Sequence, residues 1–203
     1  MKKKTMHLQL NNHTIRVATI DDLPIASKIL SESFRHDPLT NWLIEKSKNK
    51  NKLEITVNYL VHEVYKSGYI LITHDNMGAA LWETEINEPI GWDLLKKNLN
   101  FLFKQGIPTV NRILKDRKIC KEHFPKHSPY FYLGMVGVLP EARGKGLASK
   151  LMNPLLNYCK INNIPAFLET ANLTNVDIYK KKGFIITDII SKNNLNINYM
   201  KFE

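Results

Sequence analysis

The residues best suited to chemistry lie at 140–151, where PEARGKGLASKL directly follows an apolar run. A helix that begins near Gly144 leaves its first backbone N–H groups without helical partners and exposes the positive end of its dipole. Glycine at 144 and 146 lets the main chain approach a ligand, because no Cβ stands in the way. This combination predicts a site for phosphate oxygens. The alternative is an ordinary strand-to-helix turn in which the glycines are incidental.

Common nucleotide, metal and nucleophile motifs do not account for this segment. It matches neither GxxxxGK[ST] nor GxGxxG. The sequence has no HExxH and no paired Cys and His spacing, so we expect no metal site. It also has no G-x-S-x-G, which argues against catalysis through a serine acyl-enzyme.

Hydrophobic periodicity predicts the elements that would position the segment. Residues 130–138 form an apolar strand before it, and the helix over 144–163 contains Pro154, which should bend that helix. Further strands are predicted at 14–19, 69–73, 78–84, 164–170, 184–190 and 195–202, and further helices at 21–34, 53–66, 91–103, 108–124 and 173–181. This order predicts one mixed α/β domain over residues 13–203, preceded by a flexible tail over residues 1–12.

Composition and charge exclude several classes of protein. No apolar run among the 203 residues reaches the roughly 20 needed to cross a bilayer, so we expect no membrane partner. The net charge of +10 favours anionic ligands, but the lysines are scattered and no nucleic-acid-binding module is visible. We therefore expect no nucleic-acid partner. The basic start lacks an apolar core, and Cys120 and Cys159 form no CxxC pair, so we expect a cytoplasmic protein with free thiols.

Two segments carry a resemblance to a known family. RGKGLA fits the [Q/R]-x-x-G-x-[G/A] pattern with which the GNAT superfamily of N-acetyltransferases holds the pyrophosphate of coenzyme A. FLETANLTNVDIYKKKGF resembles the second GNAT landmark, a strand followed by a short Asn-bearing helix with a tyrosine just before GF. Their separation also resembles that in the superfamily.

The resemblance extends to one branch of the superfamily. YFYLGMVGVLPEARGKGLASKLMNPLL and IPAFLETANLTNVDIYKKKGF are similar to the central blocks of the puromycin N-acetyltransferase-like branch, as are TIRVATIDDLP and AALWET to its earlier strands. The similarity spans most of residues 14–202, is specific at 130–184 and is loose over 89–126. Ala148 stands where the branch often has glycine and Arg143 where it often has glutamine, yet both remain within the superfamily pattern.

The resemblance implies an α/β GNAT fold, with a mixed central sheet, a splayed strand pair and flanking helices. It also implies that acetyl-CoA is the co-substrate. The pantetheine arm would bond main-chain groups of the central strand, the pyrophosphate would meet the loop that follows, and Asn175 would contact the cofactor. Asn172 stands at a natural helix N-cap position and is read either as that cap or as a cofactor contact. The implied cofactor residues are Val136, Gly137, Val138, Arg143, Gly144, Lys145, Gly146, Leu147, Ala148, Ser149, Asn172 and Asn175.

Two residues are candidates for catalysis. By resemblance, Tyr179 would protonate the departing CoA thiolate, although its spacing also allows a core aromatic packed beside Val176 and Phe184. An alkyl amine is largely protonated at about pH 7, so a base or a water chain must remove a proton before attack. Glu169, which ends an apolar strand, is the best-placed carboxylate for that task, with binding of the substrate ammonium as the alternative.

The predicted function is direct transfer of an acetyl group from acetyl-CoA to an amine of a small molecule. The acceptor side would be built by the first helices, residues 82–83 and the helical insertion at 89–126. Acetylation of a peptide or protein amine is one alternative, and a non-catalytic CoA-binding module is another. The sequence predicts neither the identity of the amine nor the oligomeric state.

Overall fold

The computed structural model describes residues 14–84, 99–125 and 128–203. Seven strands form one sheet, in the order β1-β2-β3-β4-β5-β7-β6. The strands are β1 (Ile15–Val17), β2 (Tyr69–Thr73), β3 (Gly78–Glu83), β4 (Phe131–Val138), β5 (Ala166–Thr170), β6 (Phe184–Lys192) and β7 (Leu195–Phe202). The helices are α1 (Leu23–Ser33), α2 (Pro38–Ile44), α3 (Lys52–Ser67), α4 (Leu99–Gln105), α5 (Ile107–Glu122), α6 (Leu147–Asn162) and α7 (Leu173–Lys181).

The sheet carries a core layer on each face, because successive side chains of a strand point to opposite sides. Ile70 and Leu81 pack in the layer that contains α1 and α3. Their neighbours Leu71 and Trp82 pack in the layer that contains α6 and α7. Helices on both faces hold the central strands in place.

The strands β4 and β5 separate along their length. They are the parallel pair of the sheet, and their register covers Phe131↔Ala166 and Tyr132↔Phe167. Beyond these residues β4 continues paired with β3, whereas β5 continues paired with β7. The register between β3 and β4 shifts between Leu81 and Trp82, and such a bulge bends the strand that carries it. The gap between the two strands opens directly beyond this irregularity.

Most predicted elements are confirmed to within a few residues, but one helix was missed and the start of another was wrong. The helix α2 was not predicted, although the Asp37-Pro38 pair is a helix-start signal: the Asp37 carboxylate caps α2 by accepting the Thr40 N–H at 2.8 Å. The helix expected from near Gly144 begins instead at Leu147. Residues 1–12, the first part of the helix predicted at 91–103, and residue 126 lie outside the described residues.

The structure also bears on the predictions for Pro154, for the two cysteines and for membrane-spanning helices. Pro154 lies inside α6, as predicted. Cys120 and Cys159 are free thiols, and both are buried. None of the described helices combines the length and the apolar character needed to cross a bilayer.

Candidate active site

The loop between β4 and α6 owes its shape to two glycines in left-handed conformations. Gly144 has a φ of 78° and Gly146 a φ of 72°, where an L-residue is strained. A Cβ added to either would meet no heavy atom within 4 Å. Backbone conformation, and not crowding, therefore requires glycine here, and the space beside both residues is open. This is also why the helix cannot begin at Gly144.

The start of α6 presents backbone amides. Gly146 is its N-cap and provides no side-chain cap, and the carbonyl oxygen of Gly146 accepts the Lys150 N–H at 3.1 Å. The amides of Leu147, Ala148 and Ser149 precede this first helical bond. Leu147 is buried, while Arg143 and Lys145 are exposed. The Arg143 Nε donates to the Val138 carbonyl oxygen at 3.4 Å, which holds part of that side chain against the strand.

The part of β4 next to this loop has one edge that β5 does not cover. Val136, Gly137 and Val138 lie in that part. A Cβ at Gly137 would lie 2.6 Å from the Cβ of Ser33, so glycine is also required there for close packing of α1. The sequence assigned Gly137 to the cofactor and gave no sign of this packing role.

A cavity of about 430 Å³ extends from the parted strands into a space that α2, α3 and α5 line. It brings together Val136, Glu169, Asn175 and Tyr179 from the predicted site. The remaining predicted cofactor residues do not line it. Among them, Asn172 caps α7, because its Oδ1 accepts the Thr174 N–H at 3.0 Å.

Glu169 lines the cavity, and its two carboxylate oxygens differ in their hydrogen bonds. Its Oε1 accepts a hydrogen bond from the Tyr132 hydroxyl at 3.1 Å. Its Oε2 is buried and has no hydrogen-bond partner among the described residues. Burial, followed by the negative charge of Asp116, raises the pKa of Glu169 to about 7, against the lowering effect of the Tyr132 hydrogen bond. A carboxyl with this pKa exchanges a proton readily near neutral pH.

The residues that set this pKa come from distant parts of the chain. Asp116 of α5 is 3% exposed and forms an ion pair with Lys192 of β6, with 2.9 Å between Oδ1 and Nζ. Cys120, one helical turn after Asp116, is also buried, and burial raises the pKa of its thiol well above the ordinary value. Tyr199 of β7 is the cross-strand partner of Glu169. A buried set of one ion pair and neutral hydroxyl and thiol groups therefore surrounds the carboxylate.

Tyr179 belongs both to the core and to the cavity wall. Its ring meets Phe184 edge to face, with 5.9 Å between centroids, and the residue is 8% exposed. It nevertheless lines the cavity. Burial, with a smaller effect from the charge of Asp37, raises the pKa of Tyr179 well above the ordinary value. The phenol therefore stays protonated and remains a proton donor throughout the physiological pH range.

Of the two residues predicted to lie on the acceptor side, Glu83 lines the cavity and Trp82 does not. Trp82 is fully buried in the core, away from the cavity lining. Glu83 lines the cavity and forms an ion pair with Arg117 of α5, with 2.7 Å between Oε2 and Nη2. The described part of the insertion, residues 99–125, thus supplies side chains to the cavity wall.

Sequence reasoning missed Tyr132, Asp116, Arg117 and Lys192. Tyr132 lies in an apolar strand where it reads as one more core aromatic. The three charged residues lie in polar stretches, where charges usually face solvent. The pattern KDRKIC at 115–120 contained one usable signal: Asp116 and Cys120 are four residues apart, and both fall on the buried face of α5.

Comparison with known proteins identifies relatives in sequence and in fold. Residues 54–184 match the family model described as Acetyltransferase (GNAT) family. An uncharacterized N-acetyltransferase of Schizosaccharomyces pombe is 28% identical over 180 residues, which cover 81% of this chain and 71% of the yeast protein.

Among solved structures, the histone acetyltransferase HPA2 and related acetyltransferase of Corynebacterium glutamicum aligns with a TM-score of 0.68 at 21% identity, covering 93% of this chain and 94% of that one. Arylalkylamine N-acetyltransferase 2 from Aedes aegypti aligns with a TM-score of 0.62 at 16% identity, covering 92% and 97%. At these identities the likeness is one of fold. The predicted fold, with its mixed sheet, splayed strand pair and flanking helices, is confirmed.

Proposed function

The chain belongs to the GNAT acetyltransferase family, and from that premise we propose that it transfers an acetyl group from acetyl-CoA to the amine of a small molecule. The observation that carries the proposal is the cavity, because it places a carboxyl with a pKa of about 7 and a protonated phenol beside the parted strands. Direct transfer needs those two groups: one to take a proton from the amine and one to give a proton to sulfur.

The residues present fit a coenzyme A ligand. The amides of Leu147, Ala148 and Ser149 stand at an uncapped helix start, and such a start favours phosphate oxygens. Open space beside Gly144 and Gly146 allows close approach of an anion to the main chain. We assign the pyrophosphate to residues 143–149, where exposed Arg143 and Lys145 add positive charge.

The pantetheine arm is assigned to the uncovered edge of β4. Main-chain groups of Val136, Gly137 and Val138 would bond it in place of a strand partner. Asn175 lines the cavity and can contact the arm there. Asn172 is less suited to this role, because its Oδ1 is engaged in capping α7. When bound, acetyl-CoA supplies a thioester whose acyl carbon forms the new C–N bond as its C–S bond breaks.

Glu169 is proposed as the general base. The Tyr132 hydroxyl holds Oε1, and Oε2 is buried without a hydrogen-bond partner among the described residues. The Glu169 carboxylate lines the cavity and would accept a proton from the ammonium of the acceptor there. An alkyl ammonium has a pKa of about 10, so a carboxyl with a normal pKa would be a poor acceptor for its proton. Because the pKa of Glu169 is raised from 4.5 to about 7, the difference between the pKa of the carboxyl and that of the ammonium is smaller. The same carboxylate would first bind the ammonium and then remove its proton, so the two functions are compatible.

Tyr179 is proposed as the general acid. Its hydroxyl would donate a hydrogen bond to the CoA sulfur and supply the proton that the departing thiolate needs. Because burial raises the pKa of Tyr179, the phenol is protonated before the reaction. The proton that Glu169 takes and the proton that Tyr179 gives balance over one turnover, with solvent exchange restoring both groups.

A small-molecule acceptor is favoured over a peptide because the cavity that α2, α3 and α5 line has a volume of about 430 Å³, which is in the range of small-molecule sites. The structural neighbours include both an arylalkylamine acetyltransferase and a histone acetyltransferase, so their names do not decide the substrate class. Membership of the puromycin N-acetyltransferase-like branch and a cytoplasmic location remain predictions from the sequence.

The test has two parts. Calorimetry at modest ionic strength should detect binding of CoA and acetyl-CoA. A screen of diverse amines should then detect release of free CoA that depends on the amine. Binding without release on a broad panel would favour the non-catalytic module instead, and absence of binding would refute the assignment of the loop and of β4.

A further inference from the structure

The acidic side chains that line the cavity outnumber the basic ones, although the whole protein is basic. The chain carries a net charge of +10, yet five acidic and two basic side chains line the cavity among the described residues. The acidic residues are Asp37, Glu63, Glu83, Asp116 and Glu169. Three of them are held in ion pairs, since Glu63 pairs with Lys66, Glu83 with Arg117 and Asp116 with Lys192. The remaining acids of the described lining, Asp37 and Glu169, favour an acceptor with a single positive charge.

Both basic residues of the lining are already paired. Lys66 pairs with Glu63, and the side chain of Lys66 is 68% exposed. Arg117 pairs with Glu83 in the cavity wall, where the two side chains are 24% and 10% exposed. Burial alone would lower the pKa of Arg117, but the charge of Glu83 raises it above the ordinary value, so the guanidinium keeps its charge in the cavity wall. An anionic group that entered the cavity would meet no unpaired cation among the described lining residues.

The remaining wall is apolar and partly aromatic. Tyr59 and Phe101 stack with 4.3 Å between ring centroids, and both line the cavity. Leu60, Ile113 and Leu114 add aliphatic surface from α3 and α5. Burial of an apolar part of the acceptor against this wall is favourable. A second charged group of the acceptor would be buried there without a partner, which is unfavourable.

This inference rests on the proposed acetyl transfer. We propose that the acceptor is a hydrophobic amine, with one amino group on an apolar or aromatic body and no carboxylate or phosphate, and that Glu83 enforces this preference by neutralising Arg117. The amino group lies at Glu169, and the apolar body lies against Tyr59 and Phe101. Glu83 is a specificity-determining residue, because without it the cavity would offer a buried guanidinium to an acid.

The experiment compares phenylalaninol with phenylalanine, two amines of similar size that differ in a hydroxymethyl group and a carboxylate. The wild-type protein should acetylate phenylalaninol with a kcat/KM at least about 100-fold higher, because a carboxylate would be buried without a partner. 2-Phenylethylamine should also be accepted. Spermidine and a lysine-containing tetrapeptide should be poor acceptors, because each carries further polar or charged groups into an apolar wall.

The substitution Glu83→Gln tests the role of the ion pair. It exposes Arg117 to the substrate and should reduce the preference for phenylalaninol over phenylalanine by about tenfold or more. Glu63→Gln is the matched control, because it removes the same charge from the same cavity but releases an exposed lysine; the ratio should stay within about twofold of wild type. Should Glu83→Gln fail to fold, the double variant Glu83→Gln, Arg117→Met removes both charges and should retain the wild-type preference.

The outcomes separate this inference from the proposed function. Equal use of phenylalanine and phenylalaninol by the wild-type protein, or a preference for spermidine or the peptide, would overturn the hydrophobic-amine class and leave acetyl transfer standing. An unchanged ratio in a folded Glu83→Gln protein would overturn the role of Glu83. Binding of acetyl-CoA without turnover of any amine would overturn the proposed function, and this inference with it.

Discussion

Replacing Glu169 by glutamine tests the central carboxyl by stability as well as by activity. Glutamine is nearly isosteric, and its amide oxygen can still accept the Tyr132 hydrogen bond that Oε1 now accepts at 3.1 Å. The change therefore removes the ionisable group and places an amide NH2 where Oε2 stood. Since Oε2 has no hydrogen-bond partner among the described residues, loss of that oxygen breaks no described bond.

The magnitude follows from the shift in pKa. Glu169 has a pKa of about 7 in the folded protein, against an ordinary value of 4.5. The folded state therefore holds the proton more tightly than the unfolded state, and stability falls as pH rises between these two values. At about 1.4 kcal/mol for each pKa unit, ionisation costs the folded protein at most about 3.5 kcal/mol above about pH 7. Glu169→Gln should therefore be more stable than wild type at alkaline pH, and similar to it at about pH 4.5 and below.

Urea unfolding at about pH 5 and about pH 8.5 measures the difference in the free energy of unfolding between the variant and the wild type. The pH dependence of kcat/KM for an accepted amine tests the catalytic role. The variant should lose about 10²- to 10⁴-fold in rate, and with it the rise in rate near about pH 7. A variant that is less stable than wild type at the higher pH would show that the carboxylate is well solvated or paired, contrary to the reasoning. Unchanged turnover would remove Glu169 from the mechanism even if the stability result held.

Three further predictions address the other parts of the site. Tyr179→Phe should lower turnover by about 10²-fold or more and leave the Kd for CoA nearly unchanged, as measured by calorimetry; unchanged turnover would exclude the phenol as the acid. Gly146→Ala should cost about 1 kcal/mol of stability and weaken CoA binding, whereas the control Gly183→Ala, at a φ of 95° after α7, should lower stability alone. Asp116→Asn should move the rise in the pH–rate profile to lower pH and Lys192→Met should move it to higher pH; shifts in the same direction would contradict the electrostatic account.

The backbone of the proposed cofactor site could be predicted from the sequence because it depends on local structure. Glycines at 144 and 146, an apolar strand before them and a helix after them are all read within some twenty residues. The left-handed φ angles of both glycines confirm that the main chain needs them. Even there the start of the helix was misplaced by three residues, since a left-handed residue cannot continue a helix.

The proposed acceptor half of the site, which is the cavity around Glu169, could not be predicted in this way because it depends on contacts between residues that are distant in sequence. Tyr132 and Glu169 are 37 positions apart, and Asp116 and Lys192 are 76 apart. The sequence of a polar segment does not indicate which of its charged residues will be buried in an ion pair with a residue of another helix or strand. Glu169 was identified from its place at the end of an apolar strand, but the groups that set its pKa required the packed structure.

The two halves differ in what builds them, and this difference links specificity to pH dependence. Backbone amides and left-handed glycines form the proposed cofactor half, so side-chain changes elsewhere leave it intact. In the acceptor half, adjacent residues of α5 have different partners: Arg117 pairs with Glu83 in the cavity wall, and Asp116 raises the pKa of Glu169. A change that shifts or rotates α5 to admit another amine therefore also moves the charge that raises the pKa of Glu169, the proposed base. We expect variants of α5 that are selected for a new acceptor to show an altered pH optimum, while their affinity for CoA stays constant.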